Sequence, residues 1–260
     1  MQLSLKNKTA LVCGSTQGIG LAAAQELAVQ GARVILFARN QEKLEKAVAT
    51  LSGTGHHYLV ADFQEPDVVR DVMETYLKTA DGPIHILVNN SGGPPPGKVS
   101  EAEVDAFYQA FNAHLICNHI LAMALIPGMR KAGYGRIINI ISTSVKIPLP
   151  NLGVSNTIRA AVGAWAKTMA NELGKDNITV NNVLPGATAT ARLEGIVQKK
   201  AERQGVTEEE ASAEMLQEIP MRRFGKPQDI AAAVAFLASE AAGYINGINL
   251  PVDGGRTASL

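Results

Sequence analysis

The stretch Thr9–Gly20, TALVCGSTQGIG, decides how the rest of the chain is organised. Thr9–Cys13 is apolar enough to predict a buried strand, and the alanine-rich Leu21–Gln30 predicts a helix. Between them, Gly14–Gly20 has the spacing Gly-x-x-x-Gly-x-Gly, which allows a sharp turn and the close approach of a ligand to the backbone. A helix that begins after such a turn offers free N–H groups to a phosphate. The stretch therefore predicts a nucleotide-binding turn, although tight turns of other kinds use the same residues.

Beyond this turn, apolar strands alternate with helices along most of the sequence. This alternation predicts an α/β fold, a doubly wound parallel sheet covered by helices on both faces. The longest predicted helix, Val104–Lys131, is expected to break at Pro127-Gly128. The further predicted strands are Arg33–Ala38, Tyr58–Ala61, Ile84–Asn89, Gly135–Ile141, Ile178–Leu184 and Ile248–Val252. The further predicted helices are Gln41–Leu51, Pro66–Thr79, Val104–Lys131, Val154–Leu173 and Ile230–Ala238.

The loops that follow the strands are the expected ligand site, because parallel sheets bind ligands beyond the carboxyl ends of their strands. A polar, helix-prone segment, Ala187–Lys226, follows the sixth strand and interrupts the alternation. Its position predicts a substrate lid. Pro94–Gly97 and Pro148–Leu152 are mostly apolar and would line the pocket, which favours a partly apolar substrate. The predicted site loops contain Gly14–Gly20, Arg39, Asp62, Asn90–Gly92, Ser142 and Pro185–Thr190.

Composition narrows the functional class. The 260 residues contain 24 Lys+Arg and 24 Asp+Glu, so the net charge indicates neither a nucleic-acid partner nor an anionic membrane. No segment resembles a signal peptide, and no apolar run reaches the roughly 18 residues of a membrane span. Cys13 and Cys117 have no metal-ligand spacing, so no metal site is expected. Both are predicted to be buried thiols of a cytoplasmic protein.

Six motifs together resemble the short-chain dehydrogenase/reductase family over nearly the whole chain. The resemblance implies a Rossmann-like fold in a single domain, residues 1–260, and hydride transfer between a nicotinamide cofactor and a small carbonyl or alcohol substrate. Two mild departures are Cys13 for the usual threonine and Ser91 for the usual alanine. The motifs are Gly14–Gly20, Asp62, Asn89-Asn90-Ser91-Gly92, Gly135–Ile140 leading to Ser142, Pro185-Gly186 with Thr190, and Val252–Gly255. Pro185-Gly186 with Thr190 resembles the family's nicotinamide loop.

The residues expected to bind the cofactor follow from this resemblance. NADP(H) is favoured over NAD(H), because Phe37-Ala38-Arg39-Asn40 has no carboxylate for a ribose hydroxyl. Arg39 could instead pair with a 2′-phosphate, and the alternative is a solvated arginine. The expected cofactor-binding residues are Gly14, Ser15, Thr16, Gln17, Gly18, Ile19, Gly20, Arg39, Asp62, Phe63, Asn90, Ser91, Gly92, Arg159, Pro185, Gly186, Thr188 and Thr190.

The catalytic positions that the resemblance implies are altered. Ser142 fits the family's serine, whereas Ser155 stands at the tyrosine position and Arg159 at the lysine position. His114 stands at the position of the relay asparagine. A serine hydroxyl is a much weaker acid than a tyrosine hydroxyl, and arginine keeps its proton at working pH. The altered set therefore predicts dinucleotide binding together with a rearranged proton-transfer site.

Two functions remain open at this point. One is an active oxidoreductase, with 3-oxoacyl compounds among its candidate substrates. The other is a non-catalytic dinucleotide-binding sensor or partner subunit that kept the fold. If the protein is catalytic, His114 is the first candidate for the proton donor, because imidazole titrates near neutral pH, and Lys146 is its rival. The alternative for His114 is a histidine hydrogen-bonded between helices.

The sequence also predicts a homo-oligomer, a tetramer or a dimer. The family resemblance implies pairing through Val104–Lys131 and Val154–Leu173, and Ile248–Gly255 is a second candidate contact. The alternative is that both helices belong only to the core of one chain. Small residues that would let another helix approach closely are Ala160, Ala161, Gly163 and Ala164.

Overall fold

Seven parallel strands form the centre of the protein, which a computed structural model describes for residues 2–259. The strand order is β3-β2-β1-β4-β5-β6-β7, so the winding direction reverses between β1 and β4. Leu11 pairs with Ile35 on one side and with Leu87 on the other. The predicted doubly wound sheet is therefore confirmed. The strands are β1 Thr9–Cys13, β2 Arg33–Ala38, β3 His57–Val60, β4 Ile86–Asn89, β5 Gly135–Ile140, β6 Ile178–Pro185 and β7 Asn249–Val252.

Helices cover both faces of this sheet. Successive strand residues point to opposite faces: Val12 belongs to the core beneath α1, α2 and α9, whereas Leu11 belongs to the core beneath α3, α5 and α6. Because the strands contribute apolar side chains to both cores, they appear in the sequence as hydrophobic runs and not as alternating patterns. The helices are α1 Gly18–Val29, α2 Gln41–Val48, α3 Pro66–Thr79, α4 Val104–Phe111, α5 Cys117–Ala132, α6 Gly153–Leu173, α7 Ala191–Gln204, α8 Glu208–Gln217 and α9 Pro227–Ala238.

The first helix begins earlier than predicted. Gly18-Ile19-Gly20, assigned from the sequence to the turn, forms the first turn of α1. The end of the glycine motif therefore supplies helical N–H groups as well as a bend. Gly20 is fully enclosed there, and a Cβ at this position would lie 2.2 Å from the carbonyl oxygen of Gly14.

The break predicted at Pro127-Gly128 is wrong. Helix α5 continues through Pro127 and ends at Gly133, which has the left-handed φ of 60°. Burial of Ile126 and Met129 against the sheet holds this turn in place, so packing outweighs the hydrogen bond that proline cannot make. The irregularity lies instead at Asn112–Ile116, a π-helical turn between α4 and α5.

The predicted lid segment folds as two helices, α7 and α8, over a small apolar core of its own. A parallel bridge between Thr188 and Gly225 closes the base of the segment. The core consists of Leu193, Val197, Ala201, Ala211 and Met215. The segment is thus tied to the sheet edge at both ends, and its role as a lid stays a prediction.

The apolar stretch Val104–Ala132 needs separate mention. Its 29 residues are helical, long and apolar enough to cross a membrane by length and composition alone. Half of its most apolar window is buried in the fold, as in the core helix of a globular protein.

Cys117 in this stretch is buried, as is Cys13 in β1. Burial raises the pKa of both thiols, to about 12 for Cys117.

Candidate functional site

The glycine-rich turn forms a narrow cradle at the point where the strand order reverses. Gly14 has a φ of 57°, and a Cβ on it would lie 2.6 Å from the carbonyl oxygen of Asn90. The Asn90 side-chain amide donates to the carbonyl oxygens of Cys13 and Gly14, both at 3.2 Å. Helix α1 has no side-chain N-cap, so its first N–H groups remain available to a ligand. The glycines thus let the turn pack closely against Asn90, and the uncapped N–H groups of α1 fit a dinucleotide's phosphates.

Ser15, in the same turn, has an internal role. Its side chain is fully buried, and its hydroxyl oxygen accepts a hydrogen bond of 3.0 Å from the N–H of Phe37 in β2. The hydroxyl therefore ties the turn to the neighbouring strand and does not face the cradle. Gly18, with a φ of 56°, lies against Thr190 of the predicted nicotinamide loop.

Arg39 and Asp62 lie beside each other at the ends of β2 and β3. The Arg39 guanidinium is 3.2 Å from the Asp62 carboxylate, and its side chain is 74% exposed. Asn40 accepts from the N–H of Lys43 and caps α2, so Arg39 is the residue left to face a ligand. Phe63 is buried edge-on against Phe37, which leaves its side chain in the core and not at the cofactor site predicted for it.

The ends of β4, β5 and β6 surround a cavity of about 390 Å³. The cavity brings together three of the predicted catalytic residues, Ser142, Ser155 and Arg159. Predicted cofactor residues also line it, namely Ile19, Asn90, Ser91, Gly92, Pro185, Gly186, Thr188 and Thr190. Sequence positions up to 171 residues apart thus meet at one edge of the sheet, as the topology requires.

Arg159 is a buried cation in the wall of this cavity. Its Nη1 donates to the carbonyl oxygen of Ile140 at 2.8 Å. No carboxylate among residues 2–259 lies within ion-pair distance of it. Burial, followed by the charge of Arg192, lowers the pKa of Arg159 to about 9, which leaves it positive at pH 7. The cavity therefore holds an uncompensated positive charge next to the Ser155 hydroxyl, one helical turn away.

His114 lies behind the cavity wall, in the π-helical turn. Its Nδ1 is 2.6 Å from the Ser91 hydroxyl oxygen, and its Nε2 is buried without a partner among the described residues. Burial, followed by the charges of Arg159 and Arg192, lowers the pKa of His114 well below 6.5. The ring is therefore neutral at pH 7.

This placement argues against His114 as a group that touches the substrate, and its role as a proton donor through a water molecule stays a prediction. A neutral imidazole is not an acid near pH 7, and the ring is absent from the described residues that line the cavity. The rival, Lys146, is also absent from that lining. The alternative weighed for His114, a ring hydrogen-bonded within the structure, agrees with its bond to Ser91.

The sequence patterns did not predict that basic side chains of the lid would line the cavity. The lining is mostly apolar, as expected, but its described residues also include six basic side chains and one carboxylate, Glu218. A repeat of basic residues along α7 was the available signal, but its meaning depends on which face turns inward. The basic residues are Arg159, Arg192, Lys199, Lys200, Arg203 and Arg256.

Comparison with known proteins places this site in context. The family model described as enoyl-(acyl carrier protein) reductase matches residues 14–257. The chain is 34% identical to dehydrogenase/reductase SDR family member 4 of Rattus norvegicus, over 100% of this chain and 90% of that protein. It is 36% identical to the 3-oxoacyl-[acyl-carrier-protein] reductase FabG of Haemophilus influenzae, over 96% of this chain and 98% of that protein.

A solved structure is similar over its full length. L-sorbose reductase from Gluconobacter frateurii, complexed with NADPH and L-sorbose, superposes with a TM-score of 0.93 at 32% identity. The match covers 100% of both chains. The overall fold is thus shared with a reductase of known structure.

Proposed function

Because the chain belongs to the short-chain dehydrogenase/reductase family, we propose that it is an NADP(H)-dependent oxidoreductase acting on a small carbonyl or alcohol substrate. The observation that carries the proposal is the single cavity in which the predicted nicotinamide loop meets Ser142, Ser155 and Arg159. The cofactor, when bound, supplies the hydride chemistry. The protein must orient the substrate carbonyl and stabilise the negative charge that develops on its oxygen.

The preference for NADP(H) follows from the end of β2. Arg39 is exposed there and is paired only with Asp62, an arrangement from which it can turn to a 2′-phosphate. The L-sorbose reductase described above is complexed with NADPH, which supports the same choice. An NAD(H) site would need a carboxylate directly after β2, where Asn40 instead caps a helix.

The roles of the cavity residues differ from those of the family's tyrosine and lysine. The hydroxyls of Ser142 and Ser155 would donate hydrogen bonds to the substrate oxygen. The charge of Arg159 would stabilise the alkoxide that forms when hydride reaches the carbonyl carbon. The proton that completes the alcohol would come from a water molecule in the cavity, because the described residues that line it include no histidine, cysteine or tyrosine. His114 is then a positioning residue that holds Ser91.

The second function, a dinucleotide-binding protein without catalysis, is favoured by one observation. The catalytic positions carry Ser155 and Arg159, and neither can donate a proton readily at pH 7. In that case the cradle would still bind the dinucleotide, because Gly14 and Gly20 are not among the described residues that line the cavity with Ser155 and Arg159.

The test measures binding and turnover side by side. NADPH and NADH oxidation are followed with neutral ketones, aldehydes, 3-oxoacyl thioesters and oxo acids, and cofactor-induced thermal stabilisation is measured on the same protein. Turnover that falls at least tenfold in Ser142→Ala, with unchanged NADPH binding, supports the oxidoreductase. Stabilisation by NADPH without turnover of any carbonyl would establish the non-catalytic function instead.

We also propose a cytoplasmic homo-oligomer, a tetramer, paired through α4–α6. Tyr108 and Met123 are 66% and 43% exposed on this surface. Ala160 and Ala164 of α6 are exposed, whereas Gly163 is buried against Val145 and cannot contact another chain. Light scattering at micromolar concentration tests the proposal, and a monomeric mass would contradict it.

A further inference from the structure

The lid helix α7 turns one basic face toward the cavity. Arg192, Ile196, Lys199 and Arg203 recur at intervals of three or four residues, the spacing of a single helix face, and all of them line the cavity. Leu193, Val197 and Ala201 on the neighbouring strip of the helix pack into the lid's own core, and Leu193 also lines the cavity. Basic and apolar side chains of α7 thus face the cavity together, and a ligand there meets both.

The positive charges of this face are only partly balanced. Lys200 pairs with Glu214 at 3.1 Å, and the single carboxylate of the lining, Glu218, is bound by Arg256. Arg192 and Lys199 have no carboxylate within 4.0 Å among residues 2–259. Together with Arg159, they leave the cavity positive, and such a field attracts an anion.

Arg192 is the best-positioned member of this set. Its Nη1 donates to the carbonyl oxygen of Gly93 at 3.0 Å and its Nη2 to that of Pro94 at 3.3 Å. These bonds fix the guanidinium between the lid and the loop after β4, and three of its five N–H groups stay free to bind a ligand. The charge of Arg192 lowers the pKa values of Arg159 and His114, so an anion placed among these groups would relieve their repulsion.

We infer that the substrate is an anion, whose carboxylate or phosphate group is bound by Arg192 and Lys199 of the lid while its carbonyl lies at Ser142. This inference rests on the proposed function, because it assigns the ligand of the cavity as the substrate of that reaction. The phosphates of the cofactor are a second source of the same chemistry. They belong at the glycine cradle, where the N–H groups at the start of α1 have no side-chain cap.

The test compares matched ligands that differ in charge. 2-Oxo-4-phenylbutanoate and its ethyl ester, and dihydroxyacetone phosphate and dihydroxyacetone, are titrated calorimetrically into the NADP⁺-loaded protein. At least one anion is expected to bind roughly tenfold or more tightly than its neutral partner, since charge-assisted hydrogen bonds are the stronger class. Arg192→Gln and Lys199→Gln should each remove most of this difference. Lys131→Gln, an exposed cation on α5, should leave it unchanged.

Three outcomes of the binding experiments would overturn the inference. These are equal affinity for both anions and their neutral partners, no loss of the difference in Arg192→Gln, and a loss confined to NADP⁺ affinity, which would assign the cations to the cofactor. Thermal melting of each variant shows whether it has folded.

Measurements of turnover distinguish this inference from the proposed function. Efficient reduction of the neutral ester, with no preference for the acid, would support the proposed oxidoreductase and refute only the anionic substrate. Arg192-dependent anion binding without any turnover would retain the anion site and refute the oxidoreductase.

Discussion

The buried His114 should make the folded protein sensitive to acid. Its pKa in the folded state is well below 6.5, chiefly because the ring is buried and secondly because Arg159 and Arg192 repel a further positive charge. In the unfolded chain the ring takes up a proton near pH 6.5, whereas the folded protein excludes it. Stability is therefore complete above that pH and falls as the pH decreases toward the folded-state pKa.

The magnitude follows from linkage between protonation and unfolding. If the folded protein still excludes the proton at pH 5.5, one group with an unfolded pKa of 6.5 costs RT ln 11, or about 1.4 kcal/mol, relative to high pH. The contribution at pH 7.5 is below about 0.1 kcal/mol by the same relation. A domain of this size unfolds with a total of roughly 5–15 kcal/mol, so the change is measurable.

The assay is urea unfolding of the wild-type protein and of His114→Asn at pH 7.5 and 5.5. Asparagine does not titrate, so the difference in unfolding free energy between the two pH values should be about 1.4 kcal/mol smaller in the variant. The half-buried His85, whose pKa is also lowered, is present in both proteins and cancels. An equal pH dependence in the two proteins would refute a neutral buried His114, whatever their stabilities at pH 7.5.

Three further outcomes are expected. Arg39→Ala should weaken NADPH binding roughly ten- to hundredfold and NADH binding little, and equal losses would contradict the 2′-phosphate assignment. Gly20→Ala should abolish NADPH-induced thermal stabilisation, because its Cβ would lie 2.2 Å from Gly14 O, whereas Gly195→Ala, with nothing within 4 Å, should retain it. Arg159→Gln should lower kcat tenfold or more, and the wild-type kcat/KM should be level from pH 6 to 8. An inflection there would require an acid other than water.

Much of the fold could be predicted because strong local signals agreed with the tertiary structure. The apolar runs of β1 and β2 and the proline at the start of α3 are found at the predicted residues. Pro127 misled because its cost to a helix is local, whereas the burial that offsets it comes from the sheet. A sequence pattern shows the local cost of a proline but not the burial against the sheet that offsets it.

The site could be predicted only in part. The order of the motifs was enough to predict that Ser142, Ser155 and Arg159 would lie at one site, and all three line one cavity. The protonation of His114 could not be predicted, because it depends on burial and on the distances to two cations. The role of Arg192 was hidden for a similar reason, since a basic residue in a polar segment is usually solvated. Only the direction in which α7 packs turns that residue toward the cavity.

The altered catalytic positions make physical sense as a group. Arg159 stays positive at pH 7, and burial, followed by the charges of Arg159 and Arg192, disfavours a further positive charge on the His114 ring. A histidine at 114 must then stay neutral, and it hydrogen-bonds Ser91. Because neither His114 nor Ser155 can supply a proton readily at pH 7, the cavity can promote hydride transfer mainly through electrostatic stabilisation of the oxyanion. The same field that replaces the acid also selects a ligand that carries negative charge.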